Sequence, residues 1–122
     1  MPSRAINDLL PEVAAKCMTW QKECNLKLGM QGYSVLITCT YRSQAEQNAL
    51  YAKGRTQPGR KVTWTRRSKH TKRIAWDVCF LKNGKVTYAG PWAVIGEIAE
   101  KHGITWGGSW KVIDQCHFQV GT

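Results

Sequence analysis

The sequence predicts an α+β fold: a small antiparallel sheet flanked by about three helices, in a single domain covering residues 1–122. Three observations lead there. The 122 residues suffice for one modest core, and an apolar fraction of 43% excludes a disordered chain. Apolar residues recur at helical spacing in separate stretches, with strand-like runs between them. Two of those runs flank the turn "KNGK", so the strands group around a hairpin instead of alternating strictly with helices. No internal repeat, low-complexity segment or linker divides the chain.

The first helix is expected over "LLPEVAAKCMTWQKECNLKLG". Pro11 suits its first turn, where a missing N–H is harmless. Val13, Cys17, Trp20, Cys24 and Leu28 form one apolar stripe, and Gly29 is the expected stop. "YSVLITCTY" is β-branched and mostly apolar, hence a buried strand. "SQAEQNALYAKG" opens with Ser43 and Glu46 in capping-box spacing and closes on Gly54. Its small residues Ala45, Ala49 and Ala52 are expected, with Leu50, to pack it against the sheet. "RTQPGRKVTWTRRSK" has turn chemistry and many cations, so it reads as a surface loop. In "RIAWDVCFL", Ile74, Trp76, Val78 and Phe80 share one strand face, and Ala75, Asp77 and Cys79 the other. After the hairpin and the short strand "VTYA", a third helix runs through "GPWAVIGEIAEKHG", with Trp92, Ile95 and Ala99 on one face. "ITWGGSWK" is a turn-rich bend, and "CHFQV" is a last strand.

Composition limits the functions open to the chain. No run of about 18 apolar residues exists, so no spanning helix is expected. The opening residues lack a continuous apolar segment, so synthesis as a cytosolic protein is expected. The five cysteines have no CxxC spacing and read as buried reduced thiols. A net charge of +10 points to a polyanionic partner: nucleic acid, an anionic membrane surface or an anionic cell-wall polymer.

Chemistry has few candidates. Of three histidines, His102 ends a helix in "AEKHG" and reads as a partner of the helix dipole. His70 closes a loop just before the Asp77 strand, and His117 lies in the last strand. A catalytic zinc takes three such protein ligands and keeps one position open, and this trio could supply them. On spacing alone, however, the plainer reading of one surface His, one core His and a surface Asp prevails. Asp114 precedes His117 by three residues, so "DQCH" must bend for the two to meet. A carboxylate there could move a proton during hydrolysis, or be a solvated turn residue. Arg42, in "TYRSQAEQ", sits where a strand hands over to a capped helix, a position from which a guanidinium could hold an oxyanion.

The set as a whole is more specific. "SKHTKRIAWD" resembles the S-x-H-x-x-G-x-A-x-D signature of the D-alanyl-D-alanine carboxypeptidase and L-alanyl-D-glutamate endopeptidase family of zinc peptidases, with Ser68, His70, Ala75 and Asp77 matching. "TYRSQAEQNALYAKGRTQPGRKVT" is similar to the family's upstream segment through Arg42, Ser43, Gln47, Leu50, Tyr51 and Gly54. "WGGSWKVIDQCHFQ" is similar to its closing segment, W-G-G-x-W…D-x-x-H-F. The likeness runs from about Leu9 to Gln119.

The resemblance implies one zinc ion held by His70, Asp77 and His117, with Asp114 as general base and then acid. It also implies that Arg42 polarises the scissile carbonyl and that Ser68 orients the site or contacts substrate. The chain would then be one zinc peptidase catalytic domain with no separate wall-binding module. Asp at the acid/base position points to the endopeptidase branch and to the L-alanyl-D-glutamate bond of the peptidoglycan stem. The small size resembles a phage endolysin: a monomer made in the host cytoplasm, released through a holin and held on an anionic envelope by its charge. One residue departs from the pattern. Arg73 stands at the family glycine, which would allow a positive φ or a close backbone approach, and Arg is expected to supply neither. A D-Ala-D-Ala carboxypeptidase or dipeptidase with the same site is the nearest alternative. A binding module that kept the fold without turnover has only Arg73 in its favour. From another class, a basic nucleic-acid-binding domain would use the cations around Trp64, although no nucleic-acid partner is expected on the family reading.

Overall fold

Strand β2, Ala75–Lys82, is the axis of the molecule. A computed structural model describes residues 2–63 and 65–121. Strand β1, Tyr33–Cys39, runs antiparallel along one edge of β2. Along the other edge lie β3, Lys85–Thr87, and β5, His117–Gln119, both antiparallel to it. The two-residue strand β4, Thr105–Trp106, extends the sheet beyond β5, giving the order β1-β2-β5-β4 with β3 beside β2. The expected α+β class and antiparallel sheet are both present. The β2–β3 turn uses Asn83 (φ 49°) and Gly84 (φ 82°), the two positive-φ positions that a two-residue hairpin requires.

Helices α1, Pro11–Leu28, and α3, Trp92–Lys101, are the two that enter the core. The predicted α1 stripe of Val13, Cys17, Trp20, Cys24 and Leu28 is buried throughout. It meets the face of β2 that carries Trp76, Val78 and Phe80. Trp20 sits at the centre, 4.5 Å from the Phe118 ring and 5.8 Å from that of Trp76. Its indole N–H donates to the Ile95 carbonyl at 2.9 Å, so the buried polar tip is satisfied. All five cysteines are free, four of them buried and Cys116 half-buried.

Gly29 stops α1 as expected, the α-helix closing at Leu28; with φ −59° it leads into a 3-10 turn that continues to Gly32, whose φ of 81° makes the reversal. One local expectation fails. Helix α2, Gln44–Ala52, has the capping box foreseen at Ser43 and Glu46 but does not lie on the sheet. Ala45 and Ala49 are exposed, and Gln47 is its one buried residue. A helix with small residues on several sides has no apolar stripe to direct it. Its orientation comes instead from the buried amide of Gln47, which serves the site described below. Trp64, the aromatic of the nucleic-acid reading, falls outside the described residues. His102 does cap α3, but its ring pairs with Glu23 of α1 at 2.7 Å, a contact that the dipole reading missed.

Arg73 takes the left-handed conformation expected of the family glycine, with φ 61° and ψ 32°. The expectation that Arg could not supply a positive φ is therefore wrong. A side chain at such a φ costs about 1–2 kcal/mol. Its own guanidinium offsets this strain: Nη1 donates to the Asp8 carbonyl at 2.9 Å, and the group lies 3.8 Å from the Tyr41 ring centre. These contacts contribute about 1 kcal/mol each. Arg73→Ala keeps the strain and loses both contacts, whereas Arg73→Gly loses the contacts and the strain together. Denaturant unfolding is expected to rank wild type above Arg73→Gly and Arg73→Gly above Arg73→Ala, with about 1 kcal/mol between the two variants. An alanine variant as stable as the glycine variant would show that the conformation carries no strain.

Candidate active site

Strand parity places the site. Trp76 and Val78 face the core, so Asp77 between them projects from the opposite face of β2. Asp77 pairs in register with His117 of β5 on one side and with Cys39 of β1 on the other. The β1–β2 register shifts between Ile37 and Cys39. Such a bulge redirects the strand end, here bringing Cys39 and Thr40 beside the His70 ring. His70 itself rides on a 3-10 turn, Lys69–Lys72. Ser68 caps that turn, its hydroxyl accepting from the His70 backbone N–H at 3.1 Å.

The structure thus brings His70, Asp77 and His117 together from three separate segments. His70 Nε2 lies 3.2 Å from Asp77 Oδ2, and His117 Nδ1 lies 3.2 Å from Asp77 Oδ1. The two rings meet edge to face, with centres 5.3 Å apart. Each ring is anchored by its other nitrogen. His70 Nδ1 faces the Thr40 carbonyl at 2.9 Å, and His117 Nε2 faces Gln119 Oε1 at 2.9 Å. An oxygen acceptor behind each ring holds the N–H there, so the nitrogen facing Asp77 is the one that can take up a proton or a metal.

His70 Nε2 and Asp77 Oδ1 are buried and make no hydrogen bond. Buried polar atoms are almost always paired, so two orphans on adjoining side chains of one cluster fit a bound cation. Two imidazoles and a carboxylate are a donor set suited to zinc. Cys39 Sγ also lies near enough to join His70 and Asp77 in a three-donor group, all within 4.8 Å. It sits 3.6 Å from His70 Nδ1, the nitrogen already turned to Thr40, and 3.5 Å from Arg42 Nη2. That places the thiol behind the ring, so the geometry favours His117 as the third donor.

The local electrostatics carry the same demand. Burial opposes charge on either partner. At Asp77 the two facing imidazoles outweigh it and hold the carboxyl well below the usual range. At His70 the Asp77 carboxylate and the Cys39 sulfur outweigh it and push the imidazole up to about 10.

These residues floor a cleft of about 670 Å³ that Arg42, Ser68, Trp110 and Asp114 also line. The predicted bend in "DQCH" exists: the His117 N–H donates to the Asp114 carbonyl at 3.2 Å. Asp114 is exposed on the cleft wall, and its Oδ1 accepts from the Cys116 thiol at 3.3 Å. Burial and the nearby Asp77 and Asp114 carboxylates push that thiol up to about 12, so it stays protonated and donating. Arg42 Nη1 donates to Gln47 Oε1 at 2.8 Å, and Gln47 Nε2 donates to the Thr65 carbonyl at 2.6 Å. Gln47 therefore ties the guanidinium to the cleft loop. A larger hollow of about 910 Å³, between α1 and β1, has Arg4 and Lys22 as its only ionisable lining residues among those described and offers no comparable chemistry.

Glycines account for the "WGGSW" motif. A Cβ on Gly107 would meet the Asp114 carbonyl oxygen at 2.3 Å. A Cβ on Gly96 or Gly108 would strike the Trp106 ring at 2.3 or 2.0 Å, so the indole is clasped between two bare backbones. Its N–H donates to the Gln115 carbonyl at 2.8 Å, fixing the bend that carries Asp114.

Thr40, Cys39 and Gln119 had no signal in the sequence, because strand register alone brings them to the histidines. Gln47 belonged to a matched segment, but its burial and its hold on Arg42 were not legible.

Known proteins resemble this chain in sequence and in fold. A family model described as D-alanyl-D-alanine carboxypeptidase matches residues 61–120. The peptidoglycan L-alanyl-D-glutamate endopeptidase CwlK of Bacillus subtilis is 35% identical over 94 residues, covering 66% of this chain and 56% of that protein. The chain thus spans little more than half the length of that curated relative. Among solved structures, the L-Ala D-Glu endopeptidase ChiX of Serratia marcescens superposes with a TM-score of 0.73 at 21% identity, over 99% of this chain and 89% of that one. The vancomycin-resistance D,D-dipeptidase VanXYg, solved with a D-Ala-D-Ala phosphinate analogue, gives 0.63 at 19% identity, over 92% and 50%. At those identities the two structures establish a shared fold. The chain is thus similar in sequence to a D-alanyl-D-alanine carboxypeptidase family model over residues 61–120 and to an L-alanyl-D-glutamate endopeptidase over 94 residues, and it shares the fold of the two solved peptidases.

Proposed function

We propose that the chain is a zinc-dependent peptidoglycan endopeptidase that hydrolyses the L-alanyl-D-glutamate bond of the stem peptide. The observation that carries this reading is the pair of imidazoles, each anchored by one nitrogen and aiming the other at Asp77 from 3.2 Å. His70 Nε2, Asp77 and His117 Nδ1 would hold the metal. Zinc in such a site lowers the pKa of a water and polarises a carbonyl.

The remaining steps belong to the chain's own side chains. Asp114, exposed on the cleft wall, takes the proton of the attacking water and returns it to the leaving nitrogen. The Cys116 thiol, donating to Oδ1, steers that carboxylate. Arg42, held by Gln47, offers its guanidinium to the oxygen that becomes negative as the carbonyl is attacked. Ser68 fixes the turn that presents His70.

The bond assignment rests on the CwlK relationship and on Asp at position 114. An endolysin role, with holin-type release and retention on an anionic envelope, fits the net charge of +10. Digestion of purified sacculi with and without chelator, read by mass spectrometry, tests the reading. New amino-terminal D-glutamate is expected, lost with chelator and restored by zinc. Full activity in a metal-free preparation would remove the zinc assignment. A second reading, D-Ala-D-Ala carboxypeptidase or dipeptidase, is favoured by the description of the matching family model. The same digest identifies it by released D-alanine.

A further inference from the structure

Two unlike segments line the cleft. One brings Trp110 and the Asp114–His117 bend, and the other brings Val62, Thr63, Thr65, Arg67, Ser68 and Lys69. Between Glu46 and Asp77 the sequence holds no Asp or Glu, so nothing on the loop neutralises its cations locally. Several of those cations have structural work. Arg55 lies 3.8 Å from the Tyr51 ring centre and donates to the Thr63 carbonyl at 3.2 Å, framing the loop. Arg66 lies 5.2 Å from the same ring. Arg73 is turned away to Asp8.

Arg67 and Lys69 differ. Both line the cleft, and among the described residues neither has a carboxylate within ion-pair distance. The two carboxylates of the cleft are engaged elsewhere, Asp77 with the imidazoles and Asp114 with the Cys116 thiol. Unpaired cations on the wall of a concave site focus a positive potential into it.

We propose that Arg67 and Lys69 form a carboxylate-binding subsite, which selects peptides carrying a free carboxylate on the residue whose nitrogen leaves. This rests on the reaction proposed above. A glutamyl residue that continues the chain through one carboxyl keeps the other free, so a bond to D-glutamate presents that group beside the cut. Arg67 supplies a planar pair of donors and Lys69 a compact charge, suited together to one anionic oxygen pair. The subsite acts on substrate choice, and the bond-breaking groups stay those described above.

The test uses the full zinc-loaded chain and two synthetic peptides that differ only in a free carboxylate or a carboxamide on the leaving residue. Values of kcat and KM are measured for wild type, Arg67→Gln, Lys69→Gln and the double variant, with zinc content as a control. Wild type is expected to prefer the carboxylate peptide. Each single change is expected to raise KM for it about 3–10-fold. In the double variant the preference collapses toward one, through KM more than kcat, at unchanged zinc content. Equal use of both peptides by wild type, or a preference that survives in the double variant, overturns the subsite. Equilibrium binding of both peptides to the Asp114→Ala background separates this inference from the reaction. A carboxylate preference in binding that needs Arg67 and Lys69 supports the subsite even if wild type cuts neither peptide. Equal binding of the two peptides removes the subsite whatever the fate of the reaction.

Discussion

Replacing Asp114 by Ala is expected to lower turnover by roughly 10²–10⁴ while leaving zinc content unchanged, because proton transfer by a positioned group contributes that much. The carboxylate is exposed on the cleft wall and is not among the His70, Asp77 and His117 contacts, so removing it should leave the proposed metal donors in place. Asp114→Asn should behave alike, since an amide keeps the shape and loses the basic oxygen. Metal analysis together with steady-state kinetics on sacculi makes the check. Near-normal turnover in either variant would exclude Asp114 as the group that moves the proton. Loss of zinc in step with activity would instead make Asp114 a metal donor.

The second large effect comes from a residue with no side chain. Gly107→Ala places a methyl 2.3 Å from the Asp114 carbonyl oxygen and 3.2 Å from its Cβ, contacts too short to persist. The Gly107 carbonyl in turn accepts from the Asp114 N–H at 2.9 Å, so the two segments cannot simply separate without losing that bond. The expected response is a shift of the Asp114 bend, and a displacement near 1 Å in a catalytic group lowers rate by about 10². Zinc binding should survive. Gly108→Ala offers the contrast. Its added methyl strikes the Trp106 ring at 2.0 Å, an overpacking worth about 1–3 kcal/mol of stability. Kinetics and thermal unfolding on both variants should therefore separate: Gly107→Ala mainly in rate, Gly108→Ala mainly in Tm. Full activity in Gly107→Ala would show that the bend tolerates the methyl.

What could be read in advance follows a physical division. The α1 stripe, the β2 alternation and the Asn83–Gly84 turn are local codes, written in period and turn chemistry, and each appears as expected. His70, Asp77, His117, Asp114 and Arg42 were drawn together by motif order, and the structure places all five on one cleft. The failures are non-local. The orientation of α2 depends on Gln47 reaching Arg42 and Thr65, partners that lie on other segments. The left-handed turn at Arg73 is offset by Asp8, which is remote in sequence. The carbonyl of Thr40 and the amide of Gln119 complete the histidines only once β1, β2 and β5 are in register. None of these has a sequence period, so none could be seen before the strands were paired.

Strand β2 carries core and chemistry on alternate residues: Trp76 and Val78 fill the interior, and Asp77 supplies the carboxylate between them. A slip of one residue against either neighbour would turn the indole toward the cleft and drive the acid among the aromatics. Correct assembly and competence are thereby a single event. A misaligned chain would be both unstable and without its Asp77 cluster, so a strand slip should show itself as lost folded protein and not as a folded population with the acid misplaced.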